Sequence, residues 1–300
     1  MSQSSQPTLL VTGASGKMGR QVVELLLEAQ AGPVIAVTRT PEKLADFSEK
    51  GVIVRYGDFD DPASLPAAFE GADRLLLIST DVVGVPGKRL NQHRNAVKAA
   101  EEAGVQHVVY TSLVNPGPET PIAIAPDHHG TEEALAASTM GWTMLRNNIY
   151  ADILIGTINQ AIQFGGQLFS AAGDGKTGYV TREDCGRAAA AALASSYSSR
   201  RALDITGPEA ITQTELAEIA ASVIGQQITY VPLELEVLVQ NMVGAGLPQP
   251  LAEAYASFDQ GMAEGFCDVV SSTVEELTGR KPTPVAEFLV ANRESLLQEA

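Results

Sequence analysis

Short apolar runs alternate with helical stripes along the first half of the chain. Leu9–Val11, Val34–Thr38, Val52–Tyr56, Leu75–Ser79, His107–Thr111 and Thr143–Leu145 are short and rich in β-branched or apolar residues. Runs of this kind predict strands covered on both faces, as in a parallel sheet. Helix patterns separate them. Met18–Gln30 sets Val22, Leu25, Leu26 and Ala29 on one stripe, and Leu90–Ala103 stops at Gly104, a residue suited to a left-handed cap. The alternation predicts an α/β fold with a Rossmann-type, doubly wound parallel sheet.

The rhythm changes after residue 206. Thr212 and Glu215 form a capping box that opens a helix through Val223. Helical patterns follow over 234–244, 248–263 and 284–297, and Ile228–Val231 alone reads as a strand. The expected division is a Rossmann-type α/β domain over residues 1–206 and a smaller, mostly helical C-terminal lobe over 207–300. The segment 151–172 is expected to contribute to that lobe.

Charge narrows the set of partners. The net charge is −16 and the calculated isoelectric point about 4.6. A field of that sign repels nucleic acid and anionic membrane, so neither is an expected partner. It also disfavours phosphates at long range, so any phosphate site has to be built locally. The start MSQSSQPT lacks the basic and apolar regions of a signal peptide. No apolar run approaches the roughly 18 residues of a membrane span. Cys185 and Cys267, the 2 cysteines, lack metal or redox spacing. They are expected to be buried free thiols in a reducing cytoplasm.

The sharpest local feature is TGASGKMG, residues 12–19, directly after the first apolar run. Its glycines follow the pattern G-x-x-G-x-x-G at Gly13, Gly16 and Gly19. Strand, glycine turn and helix together make a cradle for the diphosphate of a dinucleotide. Gly13 permits the tight turn, Gly16 lets backbone N–H groups approach the phosphates, and Gly19 lets the helix pack on the strand. The helix N-terminus adds about half a positive charge.

The end of the second strand reads VTRTPEK, without the Asp or Glu that accepts a bond from the ribose hydroxyl of NAD. Arg39 stands there, with Lys43 a turn further on and Lys17 in the glycine loop. Cations at that point match the 2′-phosphate of NADP, which an Arg fork binds in bidentate fashion. Two further strand ends suit the rest of the dinucleotide. Asp58 and Phe59 offer a polar group and an aromatic to flank the adenine. Ile78, Ser79 and Thr80 offer small side chains where a cofactor crosses the sheet edge.

Longer stretches carry a resemblance. LLLISTDVVG, QHRNAVKAAEEAGVQHVVYTSL, LRNNIY, AAGDGKTGYVTRED, TGPEAITQTELAEI and ELTGRKPTPVAEFL resemble the NmrA-like group of atypical short-chain dehydrogenase/reductases. The nearest branches are the type 2 NAD(P)H:quinone oxidoreductases and triphenylmethane reductase. The resemblance implies an NADP(H)-binding Rossmann domain, a small C-terminal lobe and a substrate groove between them. It places Gly13, Ala14, Ser15, Gly16, Lys17 and Met18 on the diphosphate, Arg39 on the 2′-phosphate, and Ser79 and Thr80 beside the ribose. It also places Thr111 among the cofactor-binding positions, and Asn147, Asn148, Ile149 and Tyr150 near the nicotinamide. Lys17 departs from the neutral polar residue common in these relatives and adds a phosphate contact.

The chemistry is narrowed by what the chain does not contain. Alcohol-oxidising members of the superfamily use a Tyr-x-x-x-Lys pair, in which Lys lowers the Tyr pKa. None of the 7 tyrosines here has a lysine four residues on. Reduction of a quinone yields a phenolate, which needs no strong acid, so the cofactor's hydride and good positioning suffice. The absence fits quinone or dye reduction, and it fits a non-catalytic NADP-binding redox sensor of the NmrA type equally well. An enoyl or imine reductase would use a lysine after the fifth strand, and residues 113–145 hold none.

Three residues are the catalytic candidates. Ser112 follows the fifth strand and suits either an oxyanion donor or a strand-end cap. His128 suits a substrate-facing or proton-donating role; with Glu132 it shares a helix face, but no third metal ligand accompanies them, and no metal is expected. Tyr150 suits either the lining of the groove or packing. Arg182 and Asp184 are expected to anchor the cofactor domain to the small lobe. The expected partners are a small conjugated acceptor and, for self-association, a second copy of the chain as a homodimer.

Overall fold

The computed structural model describes residues 6–297. The strands in chain order are β1 (Leu9–Val11), β2 (Val34–Thr38), β3 (Ile53–Tyr56), β4 (Arg74–Leu77), β5 (His107–Leu113), β6 (Gly141–Asn147), β7 (Gln167–Ser170), β8 (Lys176–Thr177), β9 (Arg200–Ile205), β10 (Ile211–Thr212) and β11 (Thr229–Pro232). Seven of them form one sheet in the order β3-β2-β1-β4-β5-β6-β9. The reversal of direction on either side of β1 is the doubly wound arrangement, whose switch point lies between β1 and β4. Pairings β1–β2, β1–β4, β2–β3 and β4–β5 are parallel. The expected Rossmann-type α/β fold is the fold observed.

All six expected strands of this sheet are present, within a few residues of their predicted ends. The central ones, β1, β2, β4 and β5, are buried at every position. β3 departs from the expectation of two covered faces, because it lies at the sheet edge with Ile53 46% and Tyr56 49% exposed. β9, the other edge, is a strand that the sequence RRALDI does not announce, since charged residues interrupt its apolar positions and only its last residue, Ile205, is buried.

The chain divides into two compact units. Unit 1 comprises 1–112, 127–146 and 185–203, and unit 2 comprises 113–126, 147–184 and 204–300. The chain therefore passes between them several times, where the sequence suggests one boundary at residue 206. The last crossing falls close to that point, and the segment 151–172 belongs to unit 2.

Unit 1 is built around a core of Leu10, Ile35, Leu65, Phe69, Leu75, Leu77, Val108 and Tyr110. The helix Lys17–Glu28 follows β1 and buries Met18, Gly19, Val22, Val23 and Leu26. Its buried stripe is rotated from the expected one, with Leu25 half-buried and Ala29 exposed. Unit 2 has a separate core that includes Leu154, Ile158, Leu168, Leu216, Ile224, Met262 and Leu289. It contains two small sheets, a parallel pair β7–β11 and an antiparallel pair β8–β10. Thr212 and Glu215 do form a reciprocal capping box on the helix Gln213–Ile224. The expected helix over 284–297 is interrupted at Asn292, giving Val285–Ala291 and Arg293–Leu297. Among the described residues, no helix is long and apolar enough to cross a membrane.

Candidate cofactor site and active-site residues

β1 ends at Val11 and the helix begins at Lys17, so the glycine turn occupies the C-terminal edge of the sheet at its switch point. Gly13 has φ +59°, a conformation that favours glycine. A side chain on Gly19 would place its Cβ 2.3 Å from the Gly13 carbonyl oxygen. That contact explains the third glycine: helix and turn touch backbone to backbone. The helix N-cap is Gly16, so no side chain caps the first turn and its N–H groups are left for an external acceptor. These features fit a diphosphate.

The turn is tied down from both sides. Ala14 N–H donates to the Val37 carbonyl at 3.1 Å, and the Ser15 and Thr38 hydroxyls are 2.8 Å apart. Ser15 thus uses its side chain to join the turn to β2. Lys17, Arg39 and Lys43 are exposed, and among the described residues neither Lys17 nor Arg39 takes part in an ion pair. Arg20, by contrast, is held by Asp46 and by the Lys43 carbonyl. At the end of β3, Asp58 and Phe59 are half-buried, and Asp58 Oδ1 accepts the Asp60 N–H at 3.0 Å.

Beyond β4, three consecutive N–H groups find side-chain acceptors. Ile78 N–H donates to Thr12 Oγ1 at 3.0 Å, Ser79 N–H to Thr111 Oγ1 at 2.8 Å, and Thr80 N–H to His93 Nε2 at 3.0 Å. Thr111 also donates to Ser79 Oγ at 3.2 Å. Thr80 Oγ1 donates to Gln92 Oε1 at 2.8 Å. The hydroxyls of Thr111 and Thr80, expected beside the cofactor, are therefore engaged in shaping the strand ends.

The catalytic candidates turn out to differ sharply. Ser112 is buried, and its hydroxyl donates to Glu132 Oε1 at 2.7 Å. Arg146 completes the group with contacts of 3.0 Å to Glu132 Oε1 and 2.6 Å to Oε2. The Ser112 proton is thus given to a carboxylate within the protein, an arrangement that suits the strand-end structural role weighed for it beside that of an oxyanion donor. His128 is 3% exposed and its Nδ1 lies 2.8 Å from the Tyr110 hydroxyl. Burial, followed by the charge of Arg89, holds its pKa well below the ordinary histidine value. The ring is thus covered by the protein and engaged with Tyr110.

Tyr150 and its neighbours lie in unit 2. Tyr150 is half-buried, the Arg182 guanidinium lies 4.9 Å from its ring centroid, and Asn147 Nδ2 donates to its oxygen at 3.1 Å. The Tyr150 oxygen thus accepts from Asn147, and the guanidinium covers its ring. Asn147 is buried, and its Oδ1 has no hydrogen-bond partner in the protein. Such an acceptor invites an external N–H. Asn148 Nδ2 donates to the Cys267 and Val269 carbonyls at 2.9 and 3.3 Å, and its Oδ1 accepts the Ile149 N–H at 2.8 Å. Its amide is used to fix the backbone of unit 2, and Ile149 is buried. Arg182 and Asp184, expected to join lobe and cofactor domain, pair inside unit 2. Arg182 meets Asp152 at 3.4 Å, and Asp184 Oδ2 accepts from Thr181 at 2.7 Å and from Thr283 at 2.9 Å.

Sequence reasoning missed His93, Gln92 and Arg89. Their i, i+3, i+4 spacing on the helix that also buries Ala96 and Ala100 was a signal, since it sets polar residues on the covered face.

Comparison with known proteins agrees with this geometry. Residues 5–289 match the NmrA-like family. Quinone oxidoreductase 2 of Escherichia coli K12 is 35% identical over 280 residues, covering 93% of this chain and 96% of that protein. The crystal structure of the Escherichia coli NADPH-dependent quinone oxidoreductase complexed with NADPH superposes with a TM-score of 0.88 at 34% identity, over 95% of this chain and 99% of that one. Triphenylmethane reductase of Citrobacter sp., complexed with NADP(H), gives a TM-score of 0.85 at 32% identity, over 97% and 100%. By its sheet order, its glycine turn and these matches, the chain belongs to the NmrA-like family.

Proposed function

We propose that this protein is an oxidoreductase that binds NADPH and passes a hydride to a quinone or a similarly flat, conjugated acceptor. The observation that carries the cofactor reading is the uncapped helix start at Gly16 with the exposed Arg39, free of any ion pair among the described residues, at the end of β2. In this reading the N–H groups of the first helical turn hold the diphosphate, and Lys17 adds charge beside them. Arg39 holds the 2′-phosphate. Ile78, Ser79, Asp58 and Phe59 line the nucleotide, and Asn147 Oδ1 accepts the carboxamide N–H of the nicotinamide. The bound cofactor supplies the hydride.

The acceptor class follows from the acid chemistry left to the chain. There is no Tyr-x-x-x-Lys pair, Ser112 is committed to Glu132, and His128 is buried and neutral. An acceptor whose reduced form is a stable phenolate suits such a site, because water or a weak donor completes protonation. Tyr150 is the chain's own donor in this reading: Asn147 contacts its oxygen and Arg182 fixes its ring. The quinone and dye reductases to which the chain is similar support the same class. The buried thiols of Cys185 and Cys267, neither of them in a disulfide, support a reducing, cytoplasmic setting. Association into a homodimer is also part of the proposal, and sedimentation velocity checks it.

The second reading is a redox sensor that binds NADP without turnover. It is favoured by the commitment of Ser112 and His128 to structural bonds. Calorimetry and kinetics separate the two. NADPH should bind more tightly than NADH by about 1–3 kcal/mol, the worth of a charge-assisted phosphate contact. Arg39→Ala should remove most of that preference and leave NADH affinity unchanged. NADPH oxidation should then depend on added quinone. Tight binding without oxidation by quinones, dyes or enones would establish the sensor.

A further inference from the structure

The helix Lys88–Glu102 grips one residue of the loop after β4 by every polar atom that residue has. The Thr80 N–H donates to His93 Nε2 at 3.0 Å, its hydroxyl donates to Gln92 Oε1 at 2.8 Å, and its carbonyl accepts from Arg89 Nε at 2.8 Å. The three gripping side chains are buried, with 5%, 4% and 0% of Arg89, Gln92 and His93 exposed. Arg89 and His93 lie one turn apart and Gln92 beside them, so a single helix face presents all three.

We propose that Arg89, Gln92 and His93 are positioning residues, a clamp on Thr80 that fixes the β4-end loop of the cofactor site. The inference rests on the NADPH reading above and adds to it residues that touch no cofactor. A backbone N–H can only donate, so His93 Nε2 is an acceptor and the ring proton sits on Nδ1. Nδ1 in turn lies 3.0 Å from Thr131 Oγ1, whose hydroxyl donates to the Asp127 carbonyl at 2.6 Å. Tyr110, with its hydroxyl 3.4 Å from His93 Nδ1 and 2.8 Å from His128 Nδ1, closes the group from β5. The ring is thereby held in one orientation and one tautomer by a second helix, Ala125–Ala137. The two helices meet closely: a Cβ on Gly130 would lie 2.9 Å from Leu90 Cδ1.

The clamp has a reason to exist. Past Leu77 the chain leaves the sheet, and the N–H groups of residues 78–80 lose their ladder partners. Ile78 and Ser79 are served by threonines at the ends of β1 and β5, but Thr80 is beyond their reach. Gly84 and Gly87, with φ +77° and +72°, then let the loop turn back to the helix that holds Thr80. Burial and the Arg89 charge keep the His93 ring neutral, so its acceptor lone pair is always present.

The test uses two variants that divide the ring between them. His93→Gln keeps an acceptor near Nε2, and His93→Asn keeps a polar group near Nδ1 only. Exchange of the Thr80 amide is read by NMR without cofactor, and NADPH affinity by calorimetry. His93→Asn should raise Thr80 exchange and weaken NADPH binding, each by about tenfold, with kcat at saturating NADPH within about twofold. His93→Gln should restore both. Equal behaviour of the two variants, or a loosened Thr80 with unchanged NADPH affinity, would overturn the clamp. Wild-type protein that does not bind NADPH would instead overturn the functional reading beneath it. If neither variant folds, the wild type decides: the ¹⁵N shift of His93 Nε2 should be that of an unprotonated nitrogen, and a protonated Nε2 would contradict the proposal.

Discussion

Ser112 Oγ donates to Glu132 Oε1 at 2.7 Å, and Arg146 holds both oxygens of the same carboxylate. A serine at the place expected for catalysis is thus part of the support for an ion pair between buried Glu132 and half-buried Arg146. Ser112→Ala leaves that carboxylate one donor short and should cost roughly 1–3 kcal/mol of stability. Turnover should stay within about threefold of wild type, because no transition-state contact is lost. Urea unfolding together with steady-state kinetics checks both halves. A thousandfold loss of kcat in a stable variant would return Ser112 to the chemistry.

Tyr150 should behave in the opposite way. Tyr150→Phe removes the hydroxyl that Asn147 contacts at 3.1 Å while keeping the ring under Arg182. Loss of a weak general acid should lower kcat by about ten- to a hundredfold, with NADPH affinity and melting temperature nearly unchanged. Protein-fluorescence titration and initial rates separate these effects. An unchanged kcat would assign protonation to water alone.

The glycine turn yields a contrast between two substitutions. A Cβ at Gly19 would meet the Gly13 carbonyl at 2.3 Å, whereas at Gly16 the nearest such contact is 3.3 Å. Gly19→Ala should therefore force backbone movement and destabilise the protein by about 1–3 kcal/mol. Gly16→Val should fold with near-normal stability and yet lose both cofactors, because its bulk occupies the approach to the N–H groups. Normal NADPH binding by folded Gly16→Val would refute the diphosphate cradle.

Acid should weaken the fold through its histidines. Burial, with an arginine charge second, lowers His93 to about 3 and His107 to about 4. An unfolded histidine takes up its proton near pH 6.5, so between those values the unfolded chain binds more protons than the folded one. Their contribution is complete above about pH 6.5 and is lost as pH falls toward the folded values. Moving from pH 7 to pH 5 should cost roughly 2 kcal/mol for each buried imidazole. Urea midpoints measured across that range should fall, and a flat profile would contradict the neutral buried rings.

The sheet is legible in the sequence because its strands are short, apolar and regularly spaced, and because the capping box and the glycine turn are local signals. β9 is not, since in RRALDI three charged residues interrupt the apolar positions of an edge strand. The division into units escapes a linear reading because residues 113–126 and 147–184 return to unit 2 through neighbours distant in sequence. The glycine turn and the exposed Arg39 at the end of β2 can be read from spacing alone. Ser112 and His128 cannot be judged that way, as their roles depend on Glu132 and Tyr110, partners 20 and 18 residues away. Periodicity tells which residues are covered, not which polar atoms meet beneath the cover.

The central claim is hydride transfer from NADPH to a conjugated acceptor, and an isotope measurement addresses it most directly. Single-turnover oxidation of NADPH carrying deuterium at one face of C4 would be followed with a quinone in excess. Transfer from a fixed site predicts a primary isotope effect for one of the two labelled faces and none for the other, because such a site presents one face. Quinone-independent oxidation, or no oxidation of bound NADPH with any conjugated acceptor, would contradict it.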